Sequence, residues 1–175
     1  MAYKLEEFCK ASHAALKSGG LSAAALAAIA GDLRKLLVDR DFVAKTFAEP
    51  EPGGKRVLYH DADTDFYVQA HWQPAGKGGT PHSHGASWAI YGNAKGFTEM
   101  TEWRRVNPEA EEQVILEASD HYRLGPGQSH AYGPGIIHST AHPEAAWVIR
   151  VTGTDLDSIP RYHFRAKRDK ILEKA

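Results

Sequence analysis

Apolar positions in the first fifty residues recur every three or four places, which is the period of an amphipathic helix. Two such stripes lie on either side of a Ser18-Gly19-Gly20 break; they comprise Leu5, Phe8, Cys9, Ser12 and Leu16, and then Leu26, Ile29, Leu33 and Leu37. The pattern predicts two helices, with Ser22 as the N-cap of the second. A third, short helix is predicted over residues 41–47, because Pro50 and Pro52 follow it. We expect these helices to pack on a sheet.

From Arg56 onward the pattern changes to short apolar or alternating runs, separated by glycine, proline, asparagine and aspartate. Such runs predict the strands of an all-β sandwich or barrel. Eight strands are expected, at residues 56–60, 66–72, 87–92, 96–105, 112–117, 121–124, 129–132 and 146–152. Eight is the number of strands in a jelly roll. The sequence therefore predicts one mainly β domain over residues 1–175, with a helical extension over 1–50, a jelly-roll barrel over 56–155 and a tail over 156–175.

Composition narrows the setting and the partners of this fold. A length of 175 residues suits one domain, and a formal net charge of −1 gives no global field that would attract nucleic acid or an anionic membrane. Cys9 is the only cysteine, so no internal disulfide can form. The N-terminus does not resemble a signal peptide, and the apolar run 22–30 is too short to span a bilayer. These features predict a cytoplasmic protein with a small-molecule partner, whose basic stretch 161–174 is a solvated face or a docking tail.

Ten histidines provide candidate metal ligands, and two of them form an HxH pair. Side chains two residues apart on an extended segment point to the same side, so His82 and His84 can offer their imidazoles to one ion. Gly76 precedes this pair and Gly96 follows it at the spacing of the first motif of the cupin family.

The second motif of the same family is also present, in a modified form. Its residues are Gly127, Gly133, Gly135 and His138. The proline of the motif falls one place late, at Pro134, and His142 stands where the motif has asparagine. With both motifs in this order, the chain resembles a cupin. The resemblance implies a double-stranded β-helix, or jelly-roll barrel, that holds one divalent metal ion on the HxH pair and His138.

Most metal-binding cupins add a glutamate four or five positions after the second histidine, where this chain has Trp88 and Ala89. The predicted ligands are therefore three neutral imidazoles, which leave the ion its full charge and up to three open coordination positions. Such a centre suits an anionic, chelating substrate together with dioxygen.

Residues 56–155 resemble the thiol dioxygenase branch of the cupins, which contains cysteine dioxygenase and 3-mercaptopropionate dioxygenase. The resemblance rests on Thr80-Pro81-His82-Ser83-His84, Trp88, Gly96, Gly135-Ile136-Ile137-His138-Ser139 and a strand that ends Val151-Thr152-Gly153-Thr154-Asp155. It implies Fe(II) on three histidines, with nickel, manganese and zinc as alternatives that also accept imidazole. It further implies that a substrate thiolate binds the iron and that dioxygen converts its sulfur to a sulfinic acid.

Part of the family's pattern is replaced in this chain. The strand that carries a serine, a histidine and a tyrosine in the family reads Val148, Arg150 and Thr152 at the matching alternate positions. The position near which some members have a crosslinked cysteine is alanine here, at residue 89. By strand alternation, Arg150 shares the face that looks into the cavity. We expect Arg150 to bind either a substrate carboxylate or a structural acid such as Asp155 or Glu99.

Further candidates for the cavity follow from alternation and from the resemblance. Arg56 occupies a strand position similar to that of the carboxylate-binding arginine of cysteine dioxygenases, with an exposed arginine as the alternative. Tyr132 can shape the pocket or donate a proton, or it can be a core residue. The same alternatives hold for Tyr67, Gln69, His71 and Trp88. His130 is the reserve ligand in place of His138, and His142 is predicted to lie in a loop.

Three functions stay open at this point. The first is a non-haem iron dioxygenase that acts on a small carboxylate-bearing substrate, with a thiol among the options. The second keeps the three-histidine metal but performs diketone-type carbon–carbon cleavage or a lyase reaction. The third is a non-catalytic cupin that binds a metal or a small molecule. By analogy with the fold we expect a homodimer.

Overall fold

Three helices precede the sheets in the computed structural model, which describes residues 3–50, 52–167 and 171–174. They are α1 (Leu5–Gly19), α2 (Ala23–Leu37) and α3 (Arg40–Thr46). The predicted cap of α2 is confirmed, because the Ser22 hydroxyl accepts a hydrogen bond from the Ala25 amide. The third helix begins one residue earlier than predicted, since Asp39 caps it by accepting a hydrogen bond from the Phe42 amide.

Twelve strands follow the helices within the described residues. They are β1 (Lys55–His60), β2 (Tyr67–Gln73), β3 (Lys77–Gly78), β4 (His82–Ser83), β5 (Ala89–Lys95), β6 (Thr98–Arg105), β7 (Leu116–Leu124), β8 (Ser129–Tyr132), β9 (Ile137–His142), β10 (Ala146–Thr152), β11 (Tyr162–Lys167) and β12 (Ile171–Lys174). They form one sheet in the order β1-β2-β10-β5-β8 and a second in the order β12-β11-β4-β9-β6-β7, with β3 paired to β9.

The pairing of these strands is that of one long hairpin that has been rolled up. Its tip is the antiparallel pair β6–β7, and β5–β8, β4–β9 and β2–β10 pair outward from the tip in nested order. Successive pairs alternate between the two sheets. This arrangement is a jelly roll. The predicted mainly β, double-stranded β-helix with N-terminal helices is therefore confirmed.

Strands with alternating apolar residues were the ones that the sequence could predict. The bounds of β8 and β10 agree with the prediction, and those of β1, β2, β5 and β6 differ by one to three residues. The two runs predicted over 112–117 and 121–124 form the single strand β7, so that division was wrong. Its middle is polar and exposed, and backbone pairing with β6 holds it in the sheet.

The prediction missed β4 and β9, which carry the candidate ligands. In β9 the positions that face inward are His138, Thr140 and His142, so the strand lacks the apolar alternation by which strands are recognised. The predicted loop position of His142 is wrong, since this residue ends β9 and is 5% exposed.

The helices cover the outer face of the first sheet. Leu33 and Leu37 of α2 lie against Gly92 of β5, where a β-carbon would meet the Leu37 side chain at 2.6 Å. In β10, Ile149 and Val151 belong to this helix-side core, whereas Val148 belongs to a core cluster on the other face. The alternation predicted for β10 is thus confirmed. The opposite face of the sheet, which carries Val148, therefore points into the barrel.

The described part of the basic C-terminal stretch pairs with the second sheet. Strand β11 pairs with β4 through Tyr162 and His163, and Phe164 is buried in a small cluster with Val114 and Leu116. The part of the predicted tail at 168–170 and 175 lies outside the described residues. Within the described part of the chain, no helix is long and apolar enough to cross a membrane.

Candidate metal centre

The barrel brings together the three histidines that the motifs selected. His82 lies on β4 directly opposite His138 on β9, and His84 follows β4. One ring nitrogen from each histidine lies within 4.8 Å of the others. The ring centroids are 4.7 Å apart for His82 and His138, and 4.8 Å apart for His84 and His138. The HxH alternation and the β4–β9 register therefore place three imidazoles around one point.

Backbone carbonyls orient two of these rings. The Nδ1 atom of His82 lies 3.0 Å from the Thr80 carbonyl oxygen, and that of His138 lies 3.3 Å from the Ile136 carbonyl oxygen. An Nδ1–H that donates to a carbonyl leaves Nε2 unprotonated, which is the state that ligates a metal.

Burial keeps the three histidines neutral. It is the main cause that lowers the pKa to about 4 for His82, about 2 for His84 and about 3 for His138. Charge on neighbouring histidines and on Arg150 lowers these pKa values further. Neutral imidazole is the form that binds a metal ion, so the cluster is suited to one.

The donor set fits a divalent transition metal. Imidazole suits iron, nickel, copper and zinc, and the three nitrogen donors lie within reach of a single ion. Among the described residues no carboxylate or thiol joins the cluster. A metal held here would take His82, His84 and His138 as its protein ligands.

A tyrosine that the sequence did not single out faces the same point. The Tyr91 hydroxyl lies 3.4 Å from Nε2 of His84 and 3.2 Å from Nε2 of His138. Tyr91 is on β5 of the other sheet and is 2% exposed. Burial raises the pKa of its phenol, although Arg150 acts in the opposite direction. No local pattern in the sequence indicated it, because the β5–β10 pairing that sets Tyr91 opposite Arg150 joins distant segments of the chain.

Tyr132 lies against the cluster but points its hydroxyl elsewhere. Its ring stacks on His138 with centroids 4.3 Å apart, and its hydroxyl meets that of Tyr122. Tyr122 donates in turn to Glu102 at 3.1 Å. The reserve ligand His130 lies beside the same carboxylate, 3.3 Å from Glu102, and is not part of the three-histidine group. Tyr132 therefore supports the ring of His138 from one side.

Arg150 and Tyr91 connect the histidine cluster to a polar cavity. The guanidinium of Arg150 lies 4.8 Å from the centroid of the Tyr91 ring, whose hydroxyl contacts His138. The cavity has a volume of about 350 Å³, and Gln69, His71 and Arg150 are in its wall, as alternation predicted. No carboxylate among the described residues lies within ion-pair distance of Arg150, so neither Asp155 nor Glu99 serves as its structural partner.

Three other candidates lie away from the cluster. The guanidinium of Arg56 donates to the Thr46 carbonyl and lies over the Trp72 ring, beside α3. Trp88 packs in the helix-side core rather than in the cavity, because its indole fits against Gly153. Tyr67 stacks on His60 at a centroid distance of 4.0 Å. The structure thus brings none of these three to the metal centre.

The C-terminal stretch contributes one more ring. The imidazole of His163 on β11 stacks beside that of His82, with centroids 5.4 Å apart. Its charge is among the influences that lower the pKa of His82. No pattern in the sequence indicated this contact, because the β4–β11 pairing joins segments that are far apart in the chain.

No family model matches the chain, and no curated protein matches it either. Solved structures with a similar fold include a protein with a double-stranded β-helix domain from Klebsiella pneumoniae, at 15% identity over 69% of this chain and 87% of the other, with a TM-score of 0.45. A cupin-2 domain protein from Shewanella frigidimarina has 13% identity over 63% and 89%, with a TM-score of 0.47. Oxalate oxidase in complex with glycolate has 13% identity over 62% and 57%, with a TM-score of 0.43. Similarities with such low identities and TM-scores carry no argument here. The fold is defined by the strand pairing of this chain itself.

Proposed function

We propose that this protein is a metal-dependent dioxygenase of the three-histidine type, which acts on a small carboxylate-bearing substrate. The observation that carries the proposal is the cluster of three imidazoles, two buried and one half-buried, which no carboxylate of the described residues joins. Three neutral ligands leave the ion its positive charge and free coordination positions, which favours an anionic substrate. Iron bound here would supply the redox chemistry with dioxygen.

The residues around the cluster provide the remaining functions. Arg150 offers a guanidinium without an ionic partner among the described residues, and such a group binds a carboxylate in a fixed orientation. The Tyr91 hydroxyl faces the ligating nitrogens and can donate a hydrogen bond to a substrate that lies there. Tyr132 keeps the His138 ring in place.

A thiol acid is the first substrate to test, because the sequence resembles thiol dioxygenases. The reaction would be RSH + O₂ → RSO₂H, in which both oxygen atoms are added to the sulfur and the acid product retains the proton. The chain lacks the serine, histidine and tyrosine of that family on β10, where it has Val148, Arg150 and Thr152. The proposal therefore assigns substrate orientation to Arg150.

The test is dioxygen consumption by protein that has been reconstituted anaerobically with iron. We expect uptake with one of a set of acids that contains cysteine, 3-mercaptopropionate and mercaptosuccinate, and formation of the sulfinic acid in equal amount. His84→Ala should abolish the uptake, whereas His121→Ala, which changes an exposed histidine on β7, should retain it.

Three results would overturn the proposal, in whole or in part. Product formation at an equal rate without air would indicate a lyase. No uptake at full iron occupancy, with these acids or with a β-diketone, would indicate a binding protein instead. Uptake with the diketone alone would replace sulfur oxygenation by carbon–carbon cleavage while keeping the metal centre.

A further inference from the structure

The cavity beside Arg150 is not used by the metal ligands. Its wall is formed mainly by β2, β9 and the segments that follow β2 and β10, and none of the three clustered histidines is part of it. A volume of about 350 Å³ lies at the lower end of the range for small-molecule sites. Arg150 lines the cavity and lies over the Tyr91 ring, and the Tyr91 hydroxyl contacts His138, so these two side chains link the cavity to the cluster.

The charged groups in the wall are predominantly cationic. Lysine and arginine contribute four side chains and aspartate two; they are Lys55, Lys77, Arg150 and Arg161, and Asp155 and Asp157. Lys55 and Arg161 share one carboxylate, Asp157, at 2.6 and 3.3 Å. Among the described residues Lys77 and Arg150 form no ion pair. The cationic side chains of the cavity wall thus outnumber the anionic ones by two.

The polar groups of the wall are also short of partners. His71 Nε2, Gln73 Oε1 and Arg150 Nε are buried atoms without a hydrogen bond to the described residues. His71 is 6% exposed and lines the cavity, so a partner for it would have to come from a molecule inside the cavity. An unsatisfied buried polar group destabilises the empty site, and a bound ligand that supplies the missing hydrogen bond removes that cost. Three such groups in one wall therefore indicate a site that is completed by a polar molecule.

We propose that this cavity binds a small dianion, so that the substrate of the proposed dioxygenase is a dicarboxylic acid. Arg150 binds the carboxylate nearer the metal centre, and His71 with Lys77 binds the second anionic group. The size of the cavity suits an acid of four or five carbon atoms. The identification of the dianion as the substrate rests on the proposed function. The binding of a dianion in the cavity does not.

Calorimetric titration of the whole chain, zinc-loaded and metal-free, tests this site with succinate, propionate and inorganic phosphate. Succinate should bind about tenfold or more tightly than propionate, since each charge-assisted contact is worth about 1.5–3 kcal/mol. Arg150→Leu should weaken succinate binding about tenfold or more on the same basis. His71→Phe should also weaken it, because the ring volume is kept and the polar atoms are removed.

Lys77→Met covers the case in which a buried variant fails to fold, because Lys77 is exposed. It should weaken succinate binding and leave propionate binding unchanged. Its matched control is Lys10→Met, which removes an equal charge from the exposed face of α1 and should change neither.

Equal affinity for succinate and propionate, or binding that resists both Arg150→Leu and Lys77→Met, would overturn the dianion site. Tight binding of phosphate without succinate would retain a dianion site and overturn the dicarboxylic substrate. Succinate binding together with no dioxygen uptake on any of the acids tested would keep the cavity and refute the proposed function. Dioxygen uptake on 3-mercaptopropionate without succinate binding would support the proposed function and overturn the dianion site.

Discussion

At the scale of single residues, three of the ten histidines are distinguished by the convergence of their ring nitrogens on one point, since His71 and His142 are buried as well. The side chains of His84 and His138 are 3% and 0% exposed, and carbonyl oxygens face the Nδ1 atoms of His82 and His138. His121, in contrast, is exposed and bonds to the Thr101 side chain. Burial in a neutral state and a fixed ring orientation are what prepare an imidazole for a metal.

Removal of one clustered imidazole should abolish metal binding. His84→Ala leaves two nitrogen donors, and we expect less than one tenth of an equivalent of iron or zinc after gel filtration, compared with one equivalent for the unchanged chain. His121→Ala should retain the full equivalent. Metal analysis of both variants measures this, and a full equivalent in His84→Ala would contradict the assignment of the site.

The tyrosines show the limit of prediction at this scale. The sequence favoured Tyr132 because it precedes His138, but the hydroxyl that faces the ligating nitrogens belongs to Tyr91. Tyr132 contributes its ring instead. Which part of a tyrosine meets a site depends on the sheet from which it projects, and a linear motif does not contain that information.

At the scale of elements, turn glycines fix how the strands connect. Gly96 ends the first cupin-like motif between β5 and β6, and its φ is +64°. A β-carbon at this position would lie 2.3 Å from the Ala145 carbonyl oxygen. Both the backbone conformation and the close approach therefore require glycine.

Gly96→Ala should destabilise the protein by about 2–4 kcal/mol, from the left-handed conformation and the clash together. The control is Gly133→Ala, a motif glycine without positive φ and with no atom within 4 Å of the added carbon. It should change the free energy of unfolding by less than about 0.5 kcal/mol. Urea unfolding measures both, and equal effects would refute this account of the motif.

A buried carboxylate joins α1 to the turn between β1 and β2. Asp61 is 5% exposed and lies 2.9 Å from the His13 ring nitrogen. It also accepts hydrogen bonds from Tyr59 and from the Thr64 amide. Burial alone would raise the pKa of Asp61, but these hydrogen bonds outweigh it and hold the pKa well below its ordinary value.

The contribution of Asp61 to stability should therefore depend on pH. Because its pKa is lower in the folded than in the unfolded state, the contribution is complete above about pH 4 and is lost as the pH falls through the folded value. Asp61→Asn should cost about 2 kcal/mol at pH 7, as expected for hydrogen bonds to a charged group. The difference from the unchanged chain should shrink as the pH is lowered from about 4 toward about 2. Urea unfolding across this range and at neutral pH tests this, and a difference that grows in acid would contradict it.

At the scale of the whole molecule, the metal centre lies where the two sheets face each other. His82 and His138 belong to the second sheet, and Tyr91 and Arg150 to the first. The α helices cover the opposite face of the first sheet. An ion held by β4 and β9 therefore stabilises the folded barrel, since the ligands come together only after folding.

Zinc should raise the melting temperature. At a free concentration about one hundred times the dissociation constant it adds about 2.7 kcal/mol, which corresponds to about 5–10 °C for a chain of this size. Differential scanning calorimetry with and without zinc measures the shift. His121→Ala should show the same increase and His84→Ala none; an equal increase in all three would place the zinc at another site.

The sequence by itself determined the class of fold and the three clustered histidines. Amphipathic periods identify helices and strands locally, and the glycines and histidines of the two motifs keep fixed spacings along the chain. The alternation of β10 likewise sufficed to place Arg150 on the inner face, because the side of a strand on which a residue lies follows from its parity alone.

Only the tertiary structure decided which side chains share the site and the cavity. Tyr91, His142 and His163 reach them through strand pairs that join distant segments, and Arg56 and Trp88 are carried away from them. The register between strands is set by hydrogen bonds and packing across the whole barrel. A local pattern defines the face of a strand on which a residue lies. Which side chains lie against that face is decided only when the strands pair in the folded barrel.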